Sequence, residues 1–437
     1  MLNPNIVGPG ELVNTGNRAE GPPQRVKVCG MALDRAYAEK LDAADPLAGY
    51  RERFLLTDPA LIYLNGNSLG ALPLAVLQRM ETVYREEWGT ALARSWDHWV
   101  DLPARAGDVV AELIGAAPGQ VIVTDNTTVN LYKLATAALD ARPGRHVIVT
   151  DHDNFPSDRY VMAGLAAQRG AELRMLATDI DEGVHPDLVR AAVDEDTALV
   201  SLSHVAYRSG ALADMAAITG IAQAAGALML WDLCHSVGAV PVDLDGNDVD
   251  LAVGCTYKYL NAGPGAPAFA YVSARLREVL RQPIWGWFSQ RDQFAMGPGY
   301  DPAPGMAKFM TGTPSIPGTA AVEESARLLL EAGIEPMRAK SMRLTAYLIE
   351  LGDAWLVPLG CTIATPREAS RRGGHVSFGH PDAERIVARL AEEGVITDYR
   401  TPDRFRFGVS PLTTRFTDVW DATEAARVLI ARGSGYG

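Results

Sequence analysis

The chain has 437 residues, 48% of them hydrophobic and 21% charged, enough to build two domains around sizeable cores. Its formal net charge of −13 offers no basic face for nucleic-acid phosphates and favours solubility instead. The four cysteines, Cys29, Cys234, Cys255 and Cys361, form no C-x-x-C pair and no cluster with histidine, so the expectation is a reducing, cytoplasmic setting without disulfides or metal.

Residues 1–30 are rich in Gly, Pro and Asn and lack the basic and apolar runs of a secretory signal, which predicts a poorly ordered extension. From Met31, "MALDRAYAEKLDAADP" has helical spacing and opens a segment, 31–72, expected to pack with the smaller domain. Residues 73–317 alternate between two periods. "LAVLQRMETVYREEW", "ARAGDVVAELIGA" and "TVNLYKLATAAL" have helical spacing. "QVIVTD", "RHVIVTD", "ELRMLA", "TALVSLSHV", "ALMLWDL" and "DLAVGCT" are short apolar runs with the look of strands. Continuous apolar strands alternating with helices predict an α/β domain whose mainly parallel sheet lies between helices. In residues 318–437 two helical stretches precede the short strands "HVSFG", "VITDYR" and "DRFRFGV" and a last helix, a smaller α+β domain. No apolar run reaches the roughly 18 to 20 residues of a membrane-spanning helix, so no membrane partner is expected.

Open parallel sheets bind ligands at the carboxyl ends of their strands, so the residues at those ends carry the functional reading. Thr127 and Thr128 open a helix after "QVIVTD", where free backbone N–H groups can hold an anion; an ordinary helix cap would look the same. Phe155 and Asp158 follow "RHVIVTD" and could sandwich and orient a planar ring, although an aromatic core residue and a capping carboxylate are the plainer alternatives. Asp232 ends "ALMLWD", with His235 three residues on; a carboxylate there is costly to bury without a cationic partner. Lys258 ends the next run and is followed by "NAGPGAP". Lysines at strand ends are ordinarily solvated, but a partly desolvated lysine loses its preference for the ammonium form and becomes a nucleophile and base. In this chain order, the set is the inventory for pyridoxal 5′-phosphate on a large α/β domain.

The order resembles fold-type I pyridoxal-phosphate enzymes of the class V aminotransferase group and, within it, the kynureninases. The resemblance rests on "YLNGNSLGALP", "TTVNLYKL", "DNFPSDRY", "LSHVAYRSGAL", "WDLCHSVGAVPVDL" and "CTYKYLNAGPGAPAFAYV", and runs from about residue 34 to the end. It implies a seven-stranded sheet and a covalent cofactor anchor at Lys258. Asp232 would pair with the pyridine nitrogen, Phe155 would stack on the ring, and Thr127, Thr128 and Tyr257 would hold the phosphate. Asp158 and His235 would line the cofactor. Trp287 and Thr313 would reach the phosphate from a neighbouring subunit, so the active sites would be shared within a homodimer. Arg406 would grip the carboxylate of an amino-acid substrate, and Asn67 and Ser68 would border its pocket. In "RSWDHWVDLP", Trp96 and His98 are candidates for holding the substrate ring, a plain helix face being the alternative. The implied reaction is hydrolysis of L-kynurenine or 3-hydroxykynurenine to the corresponding anthranilate and L-alanine, with Lys258 as base and Tyr257 as the acid at Cβ. A modified kynurenine as substrate is one alternative. Another class V activity, such as a desulfurase, is a second, for which Cys361 would be the only late cysteine.

Overall fold

The computed structural model describes residues 33–433. The extension expected over residues 1–30, with Cys29, lies outside them. The large sheet has seven strands, in spatial order Val121–Val123, Phe269–Val272, Leu251–Gly254, Leu228–Asp232, Thr197–Ser203, Val147–Asp151 and Glu172–Leu176. All are parallel except Phe269–Val272, which runs antiparallel to both of its neighbours. The central strands are buried along their whole length, which is why they read as unbroken Val, Ile and Leu rather than as alternating patterns.

Phe269–Val272 is a strand that the chain's rhythm did not predict. No helix separates it from Leu251–Gly254. A loop returns the chain beside the strand it has just left, and the two strands pair antiparallel.

A second, four-stranded antiparallel sheet is ordered Asp398–Arg400, Arg404–Gly408, His375–Gly379, Thr362–Ile363. Phe378, Phe405 and Phe407 stack across it with ring centroids 5.4–5.8 Å apart. The helix Ala383–Glu392 covers it with Ala383, Ile386 and Leu390, spaced three and four apart, while its charged face is solvated. The N-terminal segment belongs to this core. Ala38 and Leu64 sit within its apolar cluster, and the short strand Ile62–Tyr63 pairs in parallel with Val395–Ile396. The apolar face of the helix Ile316–Ala332 lies instead in the cluster under the large sheet, and Gly333, at φ +80°, breaks it from the helix Ile334–Leu351.

Asp42, from the first helix Arg35–Ala43, caps the last helix, Phe416–Gly433. Its carboxylate accepts the Phe416 N–H at 2.6 Å, the Thr417 N–H at 3.1 Å and the Thr417 hydroxyl at 2.7 Å. Helix-start N–H groups have no partner inside their own helix, so this remote carboxylate satisfies them and also meets the positive end of the helix dipole. Replacing Asp42 with Ala is expected to cost about 1–2 kcal/mol, read as a lower urea midpoint with unchanged slope. An unchanged midpoint would mean that the cap contributes nothing.

Candidate functional site

The loops after the strands of the large sheet line one cleft of about 650 Å³. Among its lining residues are Thr127, Thr128, Phe155, Asp158, Asp232, His235, Tyr257 and Lys258, drawn from four separate stretches of chain. Each is held by its own local structure. Asn126 caps the helix Thr127–Asp140 by accepting the Val129 N–H at 3.0 Å, which leaves the first amides of that helix facing the cleft. Behind this helix start, the buried Lys133 ammonium lies 2.6 Å from Asp125 and fixes the loop.

Phe155 is set by the buried Asn154, whose side-chain oxygen accepts the Phe155 N–H at 2.9 Å and the Ser203 hydroxyl at 2.7 Å. The Phe155 ring is 39% exposed, stands edge-on to Tyr207 with centroids 5.2 Å apart, and has the Lys258 Nζ 5.8 Å from its centre. Lys258 sits in a turn closed by the Asn261 N–H to the Lys258 carbonyl at 2.9 Å and the Ala262 N–H to the Thr256 carbonyl at 3.0 Å. Asn261 has φ +60°, the left-handed region that asparagine tolerates better than most residues. Gly70, of "GNSLG", packs onto this turn, its N–H donating to the Tyr257 carbonyl at 2.8 Å. A Cβ on Gly70 would stand 2.2 Å from the Lys258 carbonyl oxygen, so only glycine fits.

The electrostatics leave specific demands. Asp232 is buried, accepts the Cys234 N–H at 2.6 Å, and makes no salt bridge among the described residues. Burial and the neighbouring Asp232 push Asp158 well above the usual carboxylate range, so of the two acids Asp158 is the one held neutral. Its Oδ2 and the His235 Nδ1 are buried without hydrogen-bond partners among the described residues. Burial pushes the Tyr257 hydroxyl above the ordinary phenol range, so it keeps its proton at neutral pH. A buried carboxylate without a cation, an exposed aromatic face, a helix start and a lysine are complementary to pyridoxal phosphate's pyridinium, ring, phosphate and carbonyl respectively. The residues present therefore fit that group.

Other expected site residues lie outside the cleft. Arg406 is 1% exposed, and its guanidinium is engaged by Asp398, whose strand pairs with its own, and by the Tyr207 carbonyl. Asn67, buried beside it, accepts from Arg406 Nη2 at 3.1 Å with its side-chain oxygen turned toward the guanidinium. Ser68 is half-buried in the same loop. Trp287 and Thr313 are exposed, away from the cleft of their own chain. Trp96 packs on Trp99 and Phe288, and His98 lies 3.5 Å from Glu87. The cleft also contains Ser203, Tyr207 and Cys234, which no local signal had singled out.

His375, from the small sheet, was likewise not anticipated. Its ring centroid is 5.6 Å from that of His235, it is fully buried, and neither ring nitrogen has a partner of good geometry. Gly210 allows the approach: a Cβ there would lie 3.2 Å from His375 Nε2.

The profile of the family described as aminotransferase class V matches residues 62–398. A kynureninase from Pseudomonas fluorescens is 46% identical over 400 residues, covering 90% of this chain and 94% of its own. A kynureninase from Burkholderia pseudomallei is 46% identical over 405 residues, covering 91% and 95%. Among solved structures, a cysteine desulfurase from Thermococcus onnurineus superposes with a TM-score of 0.76 at 19% identity, covering 90% of this chain and 98% of that one. A C-DES mutant with glycine covalently linked to its pyridoxal-phosphate cofactor gives 0.74 at 21%, covering 87% and 97%. At these identities the two structures establish a shared fold.

Burial, then the charges of Arg406, Lys258 and Arg400, hold His375 well below the ordinary imidazole range, opposed only by the Arg208 backbone; His235 is lowered in the same way. In the unfolded chain His375 takes up a proton near pH 6.5, about its unperturbed value. Acid therefore favours the unfolded state through this residue, and its contribution is lost as pH falls below that value. Asp151, which burial pushes up to about 7, and Asp158 act in the opposite sense, so the diagnostic quantity is a difference. The stability of His375→Gln relative to the unsubstituted chain should rise as pH falls from 7 to 5, by at most about 1.4 kcal/mol per pH unit. Urea unfolding at several pH values checks this, and a constant difference would mean that the ring titrates normally.

Proposed function

Because the chain belongs to the class V aminotransferase family and, within it, to the kynureninases, we infer that it hydrolyses the Cβ–Cγ bond of L-kynurenine or 3-hydroxykynurenine. Its products are anthranilate or 3-hydroxyanthranilate and L-alanine, in tryptophan catabolism, and its cofactor is pyridoxal 5′-phosphate. The observation that carries this reading is the meeting, in one cleft, of Lys258 and a buried Asp232 that makes no salt bridge among the described residues. When bound, pyridoxal phosphate supplies an electron sink for negative charge developing on substrate carbon.

The chain's own residues do the rest. Asp232 would hold the ring nitrogen by opposite charge, with the neutral Asp158 beside it; Phe155 would cover a ring face, and His235 lines the same cavity. Thr127 and Thr128 present helix-start amides and hydroxyls to the phosphate, and Tyr257 adds its phenol. Lys258 Nζ would anchor the cofactor, and its free amine would serve as the base for the substrate's Cα proton. Hydrolysis requires a proton at Cβ as the bond to Cγ breaks, and Tyr257 holds one that its burial keeps in place. Arg406 reads the substrate carboxylate, oriented beforehand by Asp398 and Asn67, and Ser68 borders the same pocket. Trp287 and Thr313 are supplied to the site by a second copy in a homodimer, which accounts for their exposure in the single chain.

The desulfurase alternative would need a reactive late cysteine. Cys361 is buried, and burial pushes its thiol up to about 12, so it is no nucleophile. The free thiols Cys234, Cys255 and Cys361 suit a reducing compartment, and we place the enzyme in the cytoplasm. Among the described residues, no helix is long and apolar enough to cross a membrane.

Purified protein should consume L-kynurenine or 3-hydroxykynurenine, followed as loss of the substrate's absorbance; turnover of neither would overturn the assignment. Tyr257→Phe should retain cofactor yet slow turnover by about 10² to 10⁴, the range for loss of a general acid. Full activity in that variant would remove Tyr257 from the reaction. Separately inactive Lys258→Ala and Trp287→Ala chains should regain activity when mixed, because a hybrid dimer restores one intact site. No recovery despite subunit exchange would place each site within a single chain.

A further inference from the structure

Two thiols meet on the floor of the cleft. Cys234 follows the strand Leu228–Asp232 by two residues, and Cys255 follows Leu251–Gly254 directly. The strands are parallel neighbours in which Asp232 is paired with Val253, and each cysteine lies two residues beyond that last pair. The cysteine backbones and side chains already interlock. The Cys255 N–H donates to Cys234 Sγ at 3.1 Å, and Cys255 Sγ lies 3.7 Å from the Cys234 carbonyl oxygen. Cys234 lines the cleft and its sulfur is 3.6 Å from the Thr127 hydroxyl, whereas Cys255 is buried behind it.

We propose that Cys234 and Cys255 form a peroxide-sensitive dithiol, closing to a disulfide that disturbs the phosphate end of the cleft. One sulfur of the pair attacks hydrogen peroxide, becomes a sulfenic acid and releases water. The second sulfur attacks the first, the S–S bond forms, and hydroxide leaves to be protonated by the proton shed from the second thiol. Two thiols are oxidised to one disulfide while one peroxide is reduced to two waters. The two sulfurs are unequal: the hydrogen bond with Cys255, burial and Asp232 push the Cys234 thiol up, whereas against its burial the hydrogen bond with Cys234 and the Lys258 charge bring the Cys255 thiol down, so Cys255 is the better thiolate of the pair. Closing the bond turns Cys234 Sγ away from the Cys255 N–H and from Thr127, so the modification loosens phosphate binding, and bound cofactor in turn slows it. This inference goes beyond the assigned reaction and does not depend on which kynurenine is the substrate.

The test is peptide mapping of the full-length holoenzyme, and of the same chain stripped of cofactor, after peroxide treatment and alkylation. Trypsin leaves both cysteines on one peptide, Ser209–Lys258, so cleavage before Asp243 and Asp250 is needed to separate them. The expected result is a Cys234–Cys255 link in both samples, faster in the stripped chain and reversed by dithiothreitol, with loss of bound cofactor from the oxidised holoenzyme. Cys255→Ser, or Cys255→Ala should the first variant misfold, should keep its cofactor under the same treatment. Free thiols in both samples, irreversible sulfinic acid at Cys234, a link to another cysteine, or a linked enzyme that keeps its cofactor would each overturn the proposal. The map reads the thiols whether or not kynurenine is turned over, so its failure is distinct from failure of the functional assignment.

Discussion

Parallel strands cannot be joined by tight turns, and this one constraint organises the molecule. The parallel strands of the large sheet are joined by long crossovers, through helices everywhere except between Leu228–Asp232 and Leu251–Gly254, so the carboxyl ends of six strands fall along one edge. Thr127, Phe155, Ser203, Asp232 and Lys258 are far apart in the chain and become neighbours because each lies at or just beyond such an end. The antiparallel strand Phe269–Val272 is the exception that serves the site. By running back, it brings the chain out of the Lys258 turn without a helix, and the Thr256 hydroxyl closes that turn on the Pro267 carbonyl at 2.8 Å.

The cleft concentrates ionisable groups yet keeps several of them uncharged. Asp158 is held neutral beside Asp232, and His235 and His375 are held neutral by burial and by the surrounding cations. Neutrality there keeps the site from filling its own electrostatic needs. Asp232 makes no salt bridge among the described residues, and a cationic ring nitrogen can satisfy it. The small domain follows a different rule. Arg406 is committed to Asp398, so the guanidinium is fixed in direction at the cost of being tied up.

Much of this was legible in the chain because the relevant signals are local. Unbroken runs such as "VIVTD" and "LMLWD" mark buried parallel strands, and Phe155, Asp232 and Lys258 declare themselves by following them. What escaped depends on distant partners. His375 lies in an unremarkable short strand, and nothing nearby indicates that it meets His235 across the domain boundary. Ser203 and Tyr207 take their places from Asn154 and Phe155, which lie in another loop. The Asp398–Arg406 pair is set by strand register, and only a correct pairing of two strands reveals it.

The loop at residues 65–70 touches both ends of the chain's history. Gly70 seats the Lys258 turn, while Asn67 rests against Arg406, and the strand just before it, Ile62–Tyr63, pairs only with Val395–Ile396. During synthesis these N-terminal residues leave the ribosome early and must wait for nearly the whole polypeptide before their partners exist. The large sheet can assemble while translation continues, but the wall between the lysine turn and Arg406 cannot close until Arg406 has been made. A chain truncated before its final strands would carry the lysine and its aspartate without the side of the pocket that gives them a substrate.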